Sequence, residues 1–513
     1  MTSHDADPEE TENGGAANTP SAGSGGDQAA DEGVVRRERF SGGPAREFLS
    51  SLSADERIFA ADLAVDRAHV VMLTEQGIVD EADAGAILEA LAAIESAGHG
   101  ALPEGEDVHE AIETAVIERV GPDGGRMHTA RSRNDEVAAC IRYRLREDLL
   151  ATVGTVVEGR ETLLDVAAAE TGTVMPGYTH RQPAQPTTVA HWVCSYESAL
   201  ARDTERLLDA YDRVNRSPLG AAAFAGTSFD IDRERAAALL GFDGLVENSM
   251  DAASARDFLV ESSAAVTGLA TTLAGLATDV VEFASDGYVE LADDYASTSS
   301  IMPQKKNPDT LELVRSRAGD AASGLSGLVT TLTGLPRAYN RDLQRATGHA
   351  WEAVDAVHEA VPVAVGAVAT AEWPAETLQA AAGDGFATAT GVADRLAVAG
   401  IPFRTAHEVV ARAGELADDG GNPGVDAIDE ACREVLGEPL EVVADAAAVE
   451  AVLDPVENVA MRNSRGGPAP EAVETHLDRA RENLAAHREA AGTRQTHLDD
   501  AAETLDAEVA NYV

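Results

Sequence analysis

Three short polar segments of this 513-residue chain carry the groups that could do chemistry. The first is His128-Thr129-Ala130-Arg131-Ser132-Arg133-Asn134-Asp135, in which Ser132 and Asp135 are spaced to cap a helix and two arginines stand beside them. The free N–H groups and positive dipole end of a helix, next to two guanidiniums, make a carboxylate or phosphate site. A capped helix with surface arginines is the plainer alternative. The second segment runs from Gly177 through Tyr178, Thr179, His180, Arg181, Gln182 and Gln185 to Thr188. It sets one imidazole among uncharged donors, which suits holding a ligand as well as it suits a structural turn. The third, from Ser297 through Ser299, Ser300, Lys305, Lys306 and Asn307 to Asp309, is a serine-rich loop with two lysines. It can be a mobile lid, or an ordinary solvated loop before a helix that Asp309 and Glu312 are spaced to cap.

Together these segments supply a hydroxyl that can become a base, an ammonium to favour its ionised form, an imidazole, and Arg and Asn donors. They show no metal-ligand spacing, glycine-rich phosphate cradle or Ser-His-Asp order. The reaction they fit is removal of a proton beside a carboxylate, with the dianionic aci-carboxylate held by Lys305, Asn307 and arginines, then loss of the β-substituent. That is an elimination that calls for no cofactor and no metal.

The lysines stand out against the rest of the composition. The chain has 89 acidic and 39 basic residues, a formal net charge of −50 and a pI near 4.4, which argues against nucleic acid as a partner. Of the basic residues only Lys305 and Lys306 are lysines. Excess carboxylate with almost no lysine fits a cytoplasm at molar salt, where the Debye length falls to about 3 Å. GC-rich codon usage is the competing source of lysine loss. Neither source leaves the two survivors side by side, so these positions need a compact ammonium that a planar guanidinium cannot replace.

The elements that must position these groups are helices. Hydrophobic residues make up 44% of the chain and aromatic ones 4%, so the core must be built from Ala, Val and Leu, which favours helix packed on helix. After Ser132 the positions Val137, Ile141, Leu145, Leu149, Val153 and Val157 recur at helical spacing for roughly 35 residues. Similar runs cover about 188–214, 252–284, 310–332 and 342–371, and few segments alternate with a strand period. The expected fold is all-α, with an elongated central bundle over 131–372 between an N-terminal helical domain at 34–130 and a C-terminal one at 373–513. In the C-terminal part the helices shorten and acidic turns such as Asp418-Asp419-Gly420-Gly421 multiply. Residues 1–33 read as a disordered acidic tail. The stretch 264–281 is apolar enough to raise a membrane span, but its Thr and Gly content and Asp279 fit a buried bundle helix. Cys140, Cys194 and Cys432 read as reduced core residues, and no basic-then-apolar leader opens the sequence. The expectation is a soluble cytoplasmic protein with no membrane partner.

The three segments resemble the signature regions of the fumarase, aspartase and argininosuccinate lyase superfamily, whose members release fumarate by β-elimination. Within it they resemble the argininosuccinate lyase family. His128 to Asp135, Gly177 to His180 and Met302-Pro303-Gln304-Lys305-Lys306-Asn307-Pro308-Asp309 are similar to its wording, whereas fumarases have Gly-Lys-Val-Asn, and adenylosuccinate lyases His-Lys-Arg-Asn, after Met-Pro. Ser217 to Gly220, Asn248 to Asp251, Tyr339 to Gln344 and Gly400 to Arg404 extend the similarity, which covers about residue 35 to the end.

The resemblance implies a fumarase/aspartase-like fold, cleavage of argininosuccinate to fumarate and arginine without cofactor or metal, and a homotetramer with active sites shared between subunits. It implies that Ser299 is the base, helped by Lys305, with His180 in proton transfer or orientation. Glu312 would partner His180, although it also fits a helix cap. Ser51, Arg131, Arg133, Asn134, Thr179, Asn307, Tyr339, Gln344 and Arg256 match substrate contacts. Two departures are Thr298, where the family usually has Gly, and Arg345-Ala346-Thr347, where many relatives place an acidic pair and a Lys. A sister lyase acting on adenylosuccinate, malate or aspartate, and a crystallin-like structural protein that has lost activity, are the competing readings.

Overall fold

The computed structural model describes residues 44–417 and 422–513; the expected acidic tail and the Asp418 to Gly421 turn lie outside the described residues. Helices of ten residues or more are α1 Phe59–Glu75, α2 Glu81–Ala97, α3 Val108–Val120, α4 Arg133–Ala169, α5 Val189–Val214, α6 Asp257–Asp286 and α7 Asp309–Leu332, followed by α8 Asp342–His358, α9 Ala360–Ala369, α10 Ala389–Val398, α11 Phe403–Leu416, α12 Val425–Leu436 and α13 Pro470–Val509. Two small antiparallel pairs interrupt them, β1 Val174–Thr179 with β2 Gln182–Thr188 and β3 Ser297–Thr298 with β4 Lys306–Asn307.

The expected cap of α4 forms. Ser132 Oγ accepts from the Asn134 N–H at 3.3 Å and Asp135 Oδ1 accepts from the Ser132 N–H at 3.0 Å, an arrangement that contributes about 1 kcal/mol to helix stability. The other Asp135 oxygen accepts the Gly220 and Ala222 N–H groups, so the helix start also anchors a neighbouring turn. The cap expected at α7 does not form. Pro308 is the N-cap residue, Asp309 instead accepts a hydrogen bond from the Ser297 hydroxyl, and Glu312 stays exposed. Asp309 is drawn toward β3 and ties the Ser299 loop to the bundle.

Helices α4, α5, α6, α7, α8, α9 and α13 form the long bundle. Leu149, Val153, Leu163, Leu207, Leu269, Leu276, Leu328, Val361 and Leu484 lie in its core. Helix α6 is long and apolar enough by composition to cross a membrane, yet its Leu259, Leu269, Leu273, Leu276 and Val280 are buried in this core. A second core gathers Leu63, Leu73, Ile87, Leu88 and Ile112 from α1, α2 and α3, and a third gathers Val392, Leu396, Val409, Ile428 and Cys432 from α10, α11 and α12. All three cysteines are free and buried.

Two expectations need correction. The packing does not assign all of 373–513 to one C-terminal domain: α13, 40 residues long, puts Val473, Leu477, Leu484 and Leu498 into the bundle core and Leu505 into the second core. Its apolar stripe is thin, with Ala480, Ala490, Ala491 and Ala501 at inward positions, so the helical period is faint in the sequence. The polar turn expected at 177–188 is part of a β-hairpin. Pro176, Pro183 and Pro186 mask the strand signal; an isolated two-stranded ribbon has only edges, where proline is tolerated.

Candidate active site

Six of the expected substrate residues meet at the end of the bundle where α4 begins. Ser51, Arg133, Asn134, Arg256, Tyr339 and Gln344 line one cleft of about 180 Å³, together with Asp55, Asp107, His109 and Arg341. The first turn of α4 supplies Arg133 and Asn134, the N-cap of α6 supplies Arg256, and the connection from α7 to α8 with the start of α8 supplies Tyr339 and Gln344. Polar contacts hold them in place. Ser51 Oγ donates to Asp55 Oδ2 at 2.7 Å, Asn134 Nδ2 to Ala223 O at 3.0 Å and Gln344 Nε2 to Leu49 O at 3.1 Å. Thr347 also lines the cleft, so that departure from the family falls in the site itself. Asp55 and Asp107 were missed in the sequence; the i, i+4 spacing of Ser51 and Asp55 was the available signal.

A buried charge network underlies this cleft. Arg131 is turned inward, 1% exposed, with Nη2 at 2.6 Å from Asp66 Oδ1 and 3.0 Å from Glu136 Oε1. It does not line the cleft, and its guanidinium is occupied as a counter-ion within the protein. His109 Nδ1 meets Asp62 Oδ2 at 2.8 Å. Burial opposes a charged imidazole, but the Asp62 charge and hydrogen bond, with Glu136, overcome it and push His109 up to about 10. Burial pushes Asp66 up to about 7 and Glu136 to about 8 against the pull of Arg131. Asp62 with His109 and Cys140, and Asp62 with Asp66 and Glu136, have the spacing of metal ligands. Arg131 and protonated His109 already supply positive charge there.

The remaining expected residues lie at the other end of the bundle. Helix α4 has 37 residues, which at about 1.5 Å each separates the Arg133 end from the β1–β2 hairpin by roughly 55 Å. Thr179 pairs with Gln182, leaving His180 and Arg181 as a two-residue turn with φ of 54° and 60°. Such turns favour Asn-Gly; two larger residues in the left-handed region cost on the order of 1–2 kcal/mol each. Thr179 and His180 are exposed, and Arg181 pairs with Glu282 of α6. In the β3–β4 loop, Ser299 Oγ accepts the N–H groups of Ile301 at 3.3 Å and Met302 at 3.1 Å. Two donors aimed at the hydroxyl oxygen stabilise negative charge on it. Lys306 pairs with Asp293 at 2.7 Å, whereas among the described residues the exposed Lys305 makes no ion pair. Asn307 is half-buried in β4, and Glu312 makes no contact with His180 within the described residues of one chain.

A further sign comes from the backbone. Among the described residues six non-glycines have positive φ. Ala130 precedes Arg131, Ala222 precedes the Ala223 that holds Asn134, Ala338 precedes Tyr339, and His180 and Arg181 are the hairpin turn. Five of the six thus lie beside the candidate segments, as strain does at functional sites generally, and the sixth, Phe386, lies before α10.

Comparison with known proteins gives this arrangement a family. A lyase family model matches residues 50–322 and an argininosuccinate lyase C-terminal model matches residues 386–460. The chain is 69% identical over 484 residues to the argininosuccinate lyase of Haloarcula marismortui, covering 94% of this chain and 97% of that one. It is 68% identical to the argininosuccinate lyase of Natronomonas pharaonis, with 94% and 98% covered.

The chain belongs to the argininosuccinate lyase family.

Among solved structures, an EDDS lyase variant with bound fumarate is 33% identical with a TM-score of 0.80, covering 92% of this chain and 96% of that one. A class II fumarase from Schistosoma mansoni, at 16% identity and a TM-score of 0.65, covering 80% of this chain and 96% of that one, shares the fold. The resemblance read from the three segments and the expected helical fold are thus borne out. The family's lyase region spans Ser51 through Glu312 but stops short of Tyr339 and Gln344, and the argininosuccinate lyase C-terminal region coincides with the third hydrophobic core.

Proposed function

We infer that the chain cleaves argininosuccinate into fumarate and arginine by β-elimination, the activity carried by relatives up to 69% identical over nearly the whole chain. The observation that carries this reading is the assembly of Ser51, Arg133, Asn134, Tyr339 and Gln344 in one cleft of a family member. Their hydroxyl, amide and guanidinium groups are suited to the amino-acid half of that substrate.

The residues divide the chemistry as follows. Ser299, ionised with the help of its two N–H donors and Lys305, removes a proton from the succinate carbon next to the leaving nitrogen's carbon. The electron pair moves into the adjacent carboxylate, and Lys305 and Asn307 hold the resulting dianionic aci-carboxylate. The C–N bond then breaks, fumarate forms, and arginine leaves after a proton reaches its guanidino nitrogen. His180, with Glu312 as its partner, orients the substrate or moves that proton, and Thr179 binds a carboxylate.

Because His180 lies beyond the far end of α4, roughly 55 Å from the cleft, and Ser299 lies beyond the far end of the 30-residue α6, the working unit is a homotetramer whose sites combine segments of different subunits. It works in a cytoplasm, without a cofactor. Fumarate absorbance in molar KCl tests the reading. Argininosuccinate should yield fumarate, and adenylosuccinate, malate and aspartate should not; fumarate from one of those three alone would replace this assignment.

A further inference from the structure

The loop that carries Ser299 and Lys305 is held at its neck and not at its tip. Its stem is the β3–β4 pair, in which Ser297 faces Asn307 and Thr298 faces Lys306. The Ser299 N–H donates to the Lys305 carbonyl at 3.1 Å, so these two residues lie opposite each other where the stem ends. Beyond them Ile301, Met302, Pro303 and Gln304 form an exposed tip. An isolated two-stranded ribbon is marginal in water even when its strands are longer. Two residues on each strand cannot hold this stem in shape unaided.

The first two residues of α7 supply the support. The Ser297 hydroxyl donates to Asp309 Oδ2, and the Thr310 hydroxyl donates to the Tyr295 carbonyl at 2.5 Å. Tyr295 is seated in turn on α9, where its hydroxyl lies so close to Gly366 that a side chain there would collide with it. Lys306 also pairs with Asp293, but that carboxylate is open to water, and such pairs contribute little. Asp309 serves the loop and not its own helix. A carboxylate in the first turn of a helix ordinarily accepts free N–H groups there, yet α7 starts with Pro308 as its N-cap residue and no side-chain cap. The second Asp309 oxygen, Oδ1, is buried without a hydrogen-bond partner, so no other tie competes with Ser297 for this half-buried carboxylate. A hydroxyl donating to a carboxylate forms one of the stronger hydrogen bonds.

We propose that Asp309 is a positioning residue for the elimination: by clamping Ser297 to the start of α7 it fixes the neck of the loop, so that Ser299 and Lys305 meet the substrate already aligned. The clamp is two residues from Ser299 and four from Lys305, and it touches neither the substrate nor the reacting atoms. It also preserves the turn that aims the Ile301 and Met302 N–H groups at Ser299 Oγ. The proposal rests on the argininosuccinate reading, in which Ser299 is the base.

The test uses the full-length protein in molar KCl with argininosuccinate. Asp309→Ala and Ser297→Ala should each lower kcat by about 10-fold or more, as misplacement of a reacting group does, while KM stays within about twofold of wild type. The double variant should be no slower than the worse single one, because both changes break the same bond. Asp309→Asn and Ser297→Thr, which keep an acceptor and a hydroxyl, should hold more of the rate than the alanine variants. Substrate deuterated at the carbon that loses its proton should show a larger isotope effect on kcat in the alanine variants, since a misaligned base slows that step; partial unfolding would lower the rate and leave the isotope effect and KM unchanged. Ser297→Ala serves alone if Asp309→Ala does not fold. Single variants near the wild-type kcat, or losses that multiply in the double variant, overturn the proposal. Hydrogen exchange of the peptide spanning 297–308 tests the clamp without turnover: it should quicken in the alanine variants, and an unchanged rate overturns the proposal. A wild-type protein that releases no fumarate from argininosuccinate overturns the functional reading itself.

Discussion

The Tyr178 hydroxyl donates to the Tyr288 hydroxyl at 3.1 Å, tying the end of the β1–β2 hairpin to the segment that follows α6 and leads into the Ser299 loop. Within one chain, the His180 turn and the Ser299 loop therefore share an end of the bundle, and the cleft of Arg133 and Tyr339 occupies the other.

This polarity makes the assembly testable. His180→Ala and Lys305→Ala proteins should each be inactive alone. After the two are dissociated and reassembled together, random mixing should restore about a quarter of wild-type activity if the two residues of a site come from different chains. Mixed tetramers seen by mass spectrometry with no recovered turnover would mean that His180 and Lys305 act from the same subunit.

Lys305→Arg should lower kcat by about 100-fold or more although the charge is kept, because the planar fork cannot occupy the place of an ammonium beside the aci-carboxylate. Lys306→Arg should be milder, since Lys306 pairs with Asp293 on the loop surface. Steady-state rates of the two variants under one salt condition decide the point.

Turnover and folding should require high salt. A net charge of −50 repels itself at about 0.1 M salt, where the Debye length is about 10 Å, and is screened at about 1 M. Circular dichroism and fumarate release across a KCl series should rise together. Full activity in dilute buffer would contradict the salt-adapted reading.

Thermal stability should fall as the medium is made alkaline. His109 has a folded pKa of about 10, above the ordinary value near 6.5. The stability its charge provides is complete below about 6.5 and is lost as pH rises through about 10. Asp66 and Glu136, raised to about 7 and 8, act in the same direction over their own range. His109→Gln should have a lower melting temperature at neutral pH and a flatter profile between about pH 7 and 10. A wild-type curve that does not decline there would show that the imidazole is uncharged.

The sequence made legible what depends on local chemistry. Ser132 and Asp135 announced a helix start because a capping box is written in four residues, and the Leu-rich stripe of α4 announced its length. Asp309 and Glu312 have a similar spacing, yet Asp309 is claimed by Ser297, a competition that only the folded chain reveals. Arg131 and Arg133 are two residues apart in one motif, but one turns into a buried ion pair while the other faces the cleft. Nothing in their spacing distinguishes them, because the difference is made by Asp66, 65 positions earlier. The strained turn at His180 was hidden by prolines that disguise its flanking strands.

The last helix bears on how the molecule comes into being. Leu477, Leu484 and Leu498 complete the bundle core, Leu505 completes the core formed by α1 to α3, and the Tyr512 carbonyl is seated so closely on Gly85 that a side chain there would collide with it. A growing chain on the ribosome therefore carries two open apolar surfaces until Pro470–Val509 has emerged, and neither core can close before that helix arrives.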